Sequence, residues 1–172
     1  MDKRKKYTRM FLHEALQELL KTKHLKEITV KELCEKADIN RTTFSRNYQD
    51  IYELFEEEEK EMMEASFASQ DMSQDRMNIL KLIYDHQSFY REFFYNDLTS
   101  PYIENIIEEQ AKRMQEILKK QGKYDERTFP ILYQYNIDGA FGVMKKWLNE
   151  GCQMSPDELG AILYRIVEKQ YR

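Results

Sequence analysis

The chain has 172 residues, of which 34% are charged and 41% hydrophobic, and its formal net charge is −4. Five glycines and three prolines leave few turn signals for a β-rich fold, so the composition favours a soluble helical protein of one or two domains. No run of about 18 apolar residues occurs and the basic N-terminus lacks an apolar core, so we expect neither a membrane span nor a secretion signal, and we expect a cytoplasmic protein.

Residues 8–22 predict the first helix because their apolar side chains recur at helical spacing. Thr8 is the expected N-cap of this helix. The predicted buried face consists of Phe11, Leu12, Ala15, Leu16, Leu19 and Leu20.

Two short helices follow. Thr29 and Glu32 have the spacing of a capping box, and the apolar positions from Val30 onward predict a helix that ends at Ala37. Residues 38–40 then form a turn, and Asn40 is a strong N-cap for a third helix over 41–48. Asp50 is the expected cap of the fourth helix.

The remainder of the chain is also predicted to be helical. Residues 66–76 lose the periodicity and are the best candidate for a hinge. Further helices are predicted near 77–95, 101–121, 127–150 and 156–171, with breaks at glycine, proline and serine clusters. The expected fold is therefore all-α, with a three-helix head over 1–52 and a larger helical bundle over 53–172.

The second and third helices, joined by a three-residue turn and supported by the first, form a helix-turn-helix pattern. At 100° per residue, Phe44 and Tyr48 define a buried stripe on the third helix, and Thr42 and Arg46 point away from it. Short hydroxyls and a guanidinium suit close contact with DNA, whereas an ordinary solvated face usually mixes glutamate with lysine. The geometry therefore favours double-stranded DNA as a partner over a plain polar surface.

The distribution of charge agrees with this interpretation. Residues 1–50 contain 12 basic and 8 acidic side chains, and the remainder contains 15 basic and 23 acidic ones. A basic head on an acidic body suggests that the head meets a polyanion, although solvated charged faces also produce such a division.

The segment "ITVKELCEKADINRTTFSRNYQDIYELF" (28–55), with the helix before it, resembles the TetR family of transcriptional regulators. The family often has tyrosine where this chain has Ser45, and lysine where it has Ile51, and both of those residues often bind phosphate. The expected DNA-binding residues are Thr29, Lys31, Arg41, Thr42, Thr43, Ser45, Arg46, Asn47 and Tyr48, together with an N-terminal arm of Lys3, Arg4, Lys5 and Lys6.

Residues 135–166 resemble the C-terminal helices through which many members of the family form dimers. The expected interface residues are Phe141, Trp147, Leu159, Ile162, Leu163 and Ile166, although such a stripe also suits a plain core. The resemblance also implies an inducer pocket in the helical body, for which the aromatic candidates are Tyr84, Phe89, Phe93, Phe94 and Tyr102. Aromatic density of this kind is more typical of core packing than of a pocket.

Catalysis, cofactors and metal binding are not indicated. The three histidines lie in different segments without ligand spacing, and no phosphate-binding loop or nucleophile elbow is present. The two cysteines are expected to be free thiols rather than a disulfide.

The expected function is that of a ligand-responsive, homodimeric repressor that binds a palindromic operator and releases it on binding a small-molecule inducer. The alternative is a TetR-like protein-interaction module, or a co-regulator with weakened DNA binding, because two usual phosphate contacts are missing.

Overall fold

The computed structural model describes residues 3–66, 72–95 and 101–170, and every regular element within these ranges is helical. The all-α prediction is thereby confirmed. The elements are α1 (Lys3–Leu20), a 3-10 turn (Leu25–Glu27), α2 (Val30–Ala37), α3 (Arg41–Ser45), α4 (Ile51–Ser66), α5 (Met72–Asp85), α6 (Gln87–Tyr95), α7 (Pro101–Lys120), α8 (Phe129–Asn149) and α9 (Pro156–Gln170).

The first helix is longer than its sequence pattern indicates. It begins at Lys3, so the prediction that Thr8 is its N-cap is wrong. Lysine and arginine are good helix formers, and the basic residues before Thr8 extend the helix into solvent. Phe11 was also assigned to the buried face, yet 44% of its surface is exposed, whereas Leu12 and Leu16 are fully buried.

Two predicted boundaries in the middle of the chain are wrong. The single helix predicted near 77–95 is two helices, α5 and α6, which are separated at His86. Neither glycine nor proline marks this break. The predicted hinge over 66–76 is also partly helical, because α5 begins at Met72; residues 67–71 lie outside the described residues.

The chain divides into two compact units. Unit 1 comprises residues 1–65 and 88–96, and unit 2 comprises residues 66–87 and 97–172. The expected boundary at residue 52 therefore lies within unit 1, which includes nearly all of α4 and most of α6. Phe55 of α4 stacks on Phe89 of α6 with their ring centroids 4.0 Å apart, so these helices share one core.

Unit 2 packs α5, α7, α8 and α9 around its own core. Trp147 is buried there, and its Nε1–H donates to the carbonyl oxygen of Met154 at 2.9 Å. The hydroxyl of Tyr133 on α8 donates to the carbonyl oxygen of Ile107 on α7 at 2.8 Å. Helices α5 and α9 approach so closely that a Cβ at Gly160 would lie 2.5 Å from Cε of Met77. The two cysteines, one in each unit, are buried free thiols.

Unit 1 encloses a carboxyl group that favours its neutral form. Only 2% of Glu58 on α4 is exposed, and its carboxyl accepts a hydrogen bond from the side-chain amide of Gln17 on α1. Burial raises the pKa of Glu58 to about 7; the bond from Gln17 opposes this rise and the charge of Glu61 adds to it. The folded protein therefore holds a proton that the unfolded chain releases at lower pH.

Because of this proton, the stability of the folded protein depends on pH. Because the pKa of Glu58 in the folded state lies above the ordinary 4.5, the free energy of unfolding falls as pH rises from 4.5 through 7. Glu58→Gln keeps the acceptor for Gln17 but never ionises, so we expect it to be more stable than the parent by about 1–3 kcal/mol at pH 8 and to gain little at pH 5. Urea denaturation at both pH values measures this difference.

The matched control is Glu56→Gln, which changes an exposed position of the same helix. An equal gain at the two pH values for Glu58→Gln would contradict the raised pKa of Glu58 in the folded state.

Candidate nucleic-acid interface

The N-terminus of α2 is capped by Thr29, as predicted. Its Oγ1 accepts from the N–H of Glu32 at 3.2 Å. The carboxylate of Glu32 was expected to complete a capping box, but it binds Nζ of Lys23 at 2.6 Å. Helix α2 ends at Ala37, and its C-cap residue, Asp38, adopts the left-handed conformation with φ 54° and ψ 43°. Aspartate is one of the few residues that tolerate this conformation, so the sharp turn into α3 needs no glycine.

Helix α3 begins at the predicted cap and is shorter than predicted. Oδ1 of Asn40 accepts from the N–H of Thr42 at 2.8 Å. The helix then runs over Arg41–Ser45 rather than over 41–48. The chain turns after it, and the N–H groups of Asn47 and Tyr48 both donate to the carbonyl oxygen of Phe44, at 2.8 and 2.9 Å.

Two aromatic residues fix the orientation of α3. Phe44 and Tyr48 are 1% and 4% exposed, as the sequence pattern predicts, and their ring centroids lie 5.7 Å apart. The hydroxyl of Tyr48 donates to the carboxylate of Glu57 on α4, which also pairs with Arg9 of α1 at 2.8 Å. Burial, with the bond to Glu57, raises the pKa of Tyr48 above its usual range. Tyr48 was also expected to contact DNA; its side chain is 4% exposed and its hydroxyl is engaged by Glu57, and a DNA contact by this residue stays a prediction.

The opposite side of α3 is polar and carries no acidic side chain. Arg41, Thr42, Ser45 and Arg46 are exposed, and Thr43 is half-buried. These five residues are called the α3 face below. Asn47, the next expected contact, is half-buried, and its Nδ2 donates to the carbonyl oxygen of Thr43 at 2.7 Å. Two guanidinium groups and three hydroxyls therefore lie together on α3 and its C-cap residue, Arg46.

Two further expected DNA contacts lie at the start of α2. Thr29 and Lys31 are both exposed, and Lys31 approaches Glu35 only at 3.8 Å. Both side chains therefore keep contact with solvent beside the helix-turn-helix. Their exposure is compatible with phosphate binding, which stays a prediction.

Sequence comparison identifies the family. A family profile described as "Transcriptional regulator C-terminal region" of the TetR type matches residues 70–169, more than half of the chain. The chain belongs to the TetR family of transcriptional regulators. A curated relative, the HTH-type transcriptional regulator YxbF of Bacillus subtilis (strain 168), is 22% identical over 174 aligned positions that cover 91% of this chain. The chain spans 44% of the length of that relative.

Solved structures of other regulators share the fold. The dihydroxyacetone kinase operon activator DhaS superposes with a TM-score of 0.69 at 16% identity, over 95% of this chain and 96% of its own. The fatty acid degradation regulator FadR from Bacillus halodurans gives 0.65 at 10% identity, over 93% and 94% of the two chains. A TetR regulator from Rhodococcus sp. RHA1 gives 0.55 at 16% identity, over 97% and 96%. These likenesses establish the fold of this TetR-family chain.

The expected N-terminal arm is the beginning of α1. Lys5 and Lys6 are exposed on the first turns of this helix, and the side chains of Lys3 and Arg4 lie outside the described residues. The basic residues are therefore held on a helix of unit 1 rather than on an extended segment.

The aromatic residues expected to line an inducer pocket are divided between the units. Phe89 and Phe93 are buried in the core of unit 1, and Phe94 beside them is half-buried. Tyr84 belongs to unit 2, where it stacks on Trp147 with 6.1 Å between the ring centroids. The side chain of Tyr102 lies outside the described residues. Phe89 and Phe93 thus fill a core, as the alternative interpretation of aromatic density predicts.

The expected dimer residues also have mixed environments. Trp147 and Leu159 are 5% and 4% exposed in the single chain, so they pack mainly within its own core, and their part in a dimer interface stays a prediction. Phe141, Ile162 and Leu163 are half-buried, and Ile166 is 48% exposed.

The expected interface residues leave out a stripe of three exposed apolar side chains on α8. Ile131, Tyr135 and Val143 are 71%, 66% and 37% exposed, and a Cβ at Gly139 or Gly142 would meet nothing within 4 Å. Positions 131, 135, 139 and 143 follow one another at a spacing of four residues, which places them along one side of the helix. That spacing is visible in the sequence and could have identified the stripe.

None of the described helices combines the length and the apolar character needed to cross a bilayer.

Proposed function

We propose that this TetR-family regulator is a cytoplasmic, homodimeric, ligand-responsive repressor that binds a palindromic operator through the α3 face. The observation that supports this most strongly is the division of α3 into two sides. Phe44 and Tyr48 are buried, and the side that remains offers guanidinium and hydroxyl groups without a single carboxylate. Such a surface complements the phosphates and the base edges of a major groove.

The residues of the α3 face differ in the roles that we assign to them. The guanidinium of Arg46 can bind guanine or a phosphate with two parallel hydrogen bonds. The short hydroxyl side chains allow the helix to approach the bases closely. Thr29, Lys31, Lys5 and Lys6 would contact phosphates on either side, which positions the head without reading the sequence.

Dimer formation is supported by the needs of a helix-turn-helix and by the exposed stripe on α8. One short recognition helix reads few base pairs, and two heads related by symmetry read the two halves of a palindrome. Ile131, Tyr135 and Val143 provide apolar surface, and Gly139 and Gly142 allow a second helix to approach closely. We place the centre of the dimer interface on this stripe rather than on Trp147 and Leu159.

Thermodynamic linkage relates ligand binding to operator affinity. A ligand that binds unit 2 changes operator affinity only as far as it binds the two states of the dimer unequally. The proposed direction is repression relieved by ligand, as the family resemblance implies. The fold neighbour DhaS is described as an operon activator, so a transcription assay with and without the protein is needed to establish the direction.

A co-regulator with weak DNA binding is the second candidate, and one observation favours it. Ile51, at the position where the family often has a phosphate-binding lysine, is 6% exposed and packs inward. Ser45 is exposed but short. A gel shift with DNA from upstream of its own gene separates the two candidates. Specific retardation supports the repressor, whereas smearing that disappears as salt rises supports the co-regulator.

Substitutions on the α3 face test the repressor proposal. We expect Arg46→Ala to lower affinity for a duplex that the parent protein selects from a random-sequence pool about 10- to 100-fold, and Thr42→Ala and Thr43→Ala to lower it by smaller factors, because each removes a contact to bases or phosphate. Fluorescence anisotropy measures the affinities. Circular dichroism should show an unchanged fold, since none of these side chains is buried.

The matched control is Arg127→Ala, which removes an exposed arginine of unit 2. It should bind as the parent does. Unaltered affinity in all three α3 variants would refute the assignment of the reading surface.

The dimer is tested by placing a charge in the α8 stripe. Tyr135→Glu should convert a dimer into a monomer at micromolar concentration, because two carboxylates would be brought together in an apolar contact. Sedimentation equilibrium gives the mass directly. Tyr52→Glu, an equivalent change at an exposed tyrosine of α4, should remain a dimer. A parent protein that sediments as a monomer would exclude the proposed dimer.

A further inference from the structure

A buried carboxylate on α6 binds the connection between α1 and α2. Oε1 of Glu92 lies 2.7 Å from Nδ1 of His24, and Oε2 accepts from the N–H of Leu25 at 2.8 Å. We call these three residues the Glu92 clasp. Glu92 lies 68 positions after His24 and 67 positions after Leu25 in the chain. All three belong to unit 1.

The clasp is strong because its acceptor is buried and both of its oxygens are used. Glu92 is 3% exposed and Leu25 is 1% exposed. A carboxylate withdrawn from water is tolerated only where donors replace its hydration, and hydrogen bonds to a charged group exceed neutral ones in strength. Removing the carboxylate would also leave the Leu25 N–H buried without its partner, which adds to the cost.

The last turn of α6 makes two further contacts with the connection between α1 and α2. The ring of Tyr95 stacks on the ring of His24, with centroids 4.8 Å apart and planes inclined by 20°. Nζ of Lys26 lies 5.5 Å from the centroid of the same tyrosine. Three successive residues of the connection are therefore held by one helical turn.

The connection passes this restraint on to α2 within four residues. The N–H of Glu27 donates to the carbonyl of His24 at 2.9 Å, and that of Ile28 to the carbonyl of Leu25 at 3.2 Å. Ile28 is buried, and the next residue is Thr29, the cap of α2. A short segment that is hydrogen-bonded to itself and fixed at one end leaves the start of α2 little freedom.

We propose that Glu92 is a positioning residue for DNA binding, which fixes the approach of α2 and so the orientation of the α3 face that follows it. The inference rests on the proposed function, since it assigns Glu92 to the same activity. It adds a residue outside the helix-turn-helix that makes no contact with DNA and acts through His24 and Leu25.

Two substitutions at position 92 distinguish the effect of the hydrogen bonds from the effects of side-chain charge and volume. Glu92→Gln can keep both bonds, because its oxygen accepts from Leu25 while its NH₂ donates to Nδ1 of a neutral His24. Glu92→Leu has similar volume and keeps neither bond. Met63→Ala is the control for stability, because it opens a cavity in the buried part of α4 while leaving the clasp intact.

The affinity of each variant is measured with a duplex selected from a random-sequence pool by the parent protein, at a temperature where all variants are folded. We expect Glu92→Leu to lose about tenfold or more, and Glu92→Gln and Met63→Ala to stay within about threefold of the parent. Parent-like affinity of Glu92→Leu would overturn the proposal. Equal losses in Glu92→Leu and Met63→Ala, or in Glu92→Leu and Glu92→Gln, would also overturn it.

Amide hydrogen exchange without DNA makes the test independent of the proposed function. In Glu92→Leu the amides of Leu25 and of α2 should exchange faster than in Met63→Ala, relative to the rest of unit 1. If the parent selects no duplex, the proposed function fails while this readout still tests the clasp. Unchanged protection of α2 in Glu92→Leu would overturn the clasp itself.

Discussion

The burial of Phe44 in α3 and of Tyr48 in the turn after it is the contact on which the functional surface depends. A helix of five residues has no stability of its own in water, so its orientation comes from tertiary packing. Each buried aromatic side chain contributes about 2–3 kcal/mol, enough to hold so short an element in one orientation. Because both rings point inward, the arginine, threonine and serine side chains point outward.

Polar contacts within unit 1, some half-buried and one at the buried Glu92, extend this restraint to the neighbouring helices. The Tyr48 hydroxyl binds Glu57 of α4, and Glu57 pairs with Arg9 of α1. Glu92 of α6 binds the connection that precedes α2. Buried polar groups that find their partners in only one arrangement favour that arrangement over alternatives of similar apolar burial. The head is therefore a packed unit with α4 and α6, rather than three helices on a linker.

Local signals predicted the helix-turn-helix, and contacts distant in sequence determined the rest. Thr29 and Asn40 cap α2 and α3 as their positions indicate, and the helical period correctly places Phe44 inside. The partner of Glu92 lies 68 residues away, a pairing that no short pattern reveals. Apolar periodicity also cannot distinguish a residue buried in its own chain from one buried between subunits, so for Trp147 the sequence does not separate a core role from an interface role.

The proposed contact between the α3 face and DNA can be tested by photo-cross-linking. A benzophenone side chain is placed at Thr42, or at Glu116, an exposed position of α7 in unit 2, and each protein is irradiated with the selected duplex. We expect a covalent DNA adduct from position 42 and none above background from position 116. An adduct from position 116 without one from position 42 would contradict the proposed contact.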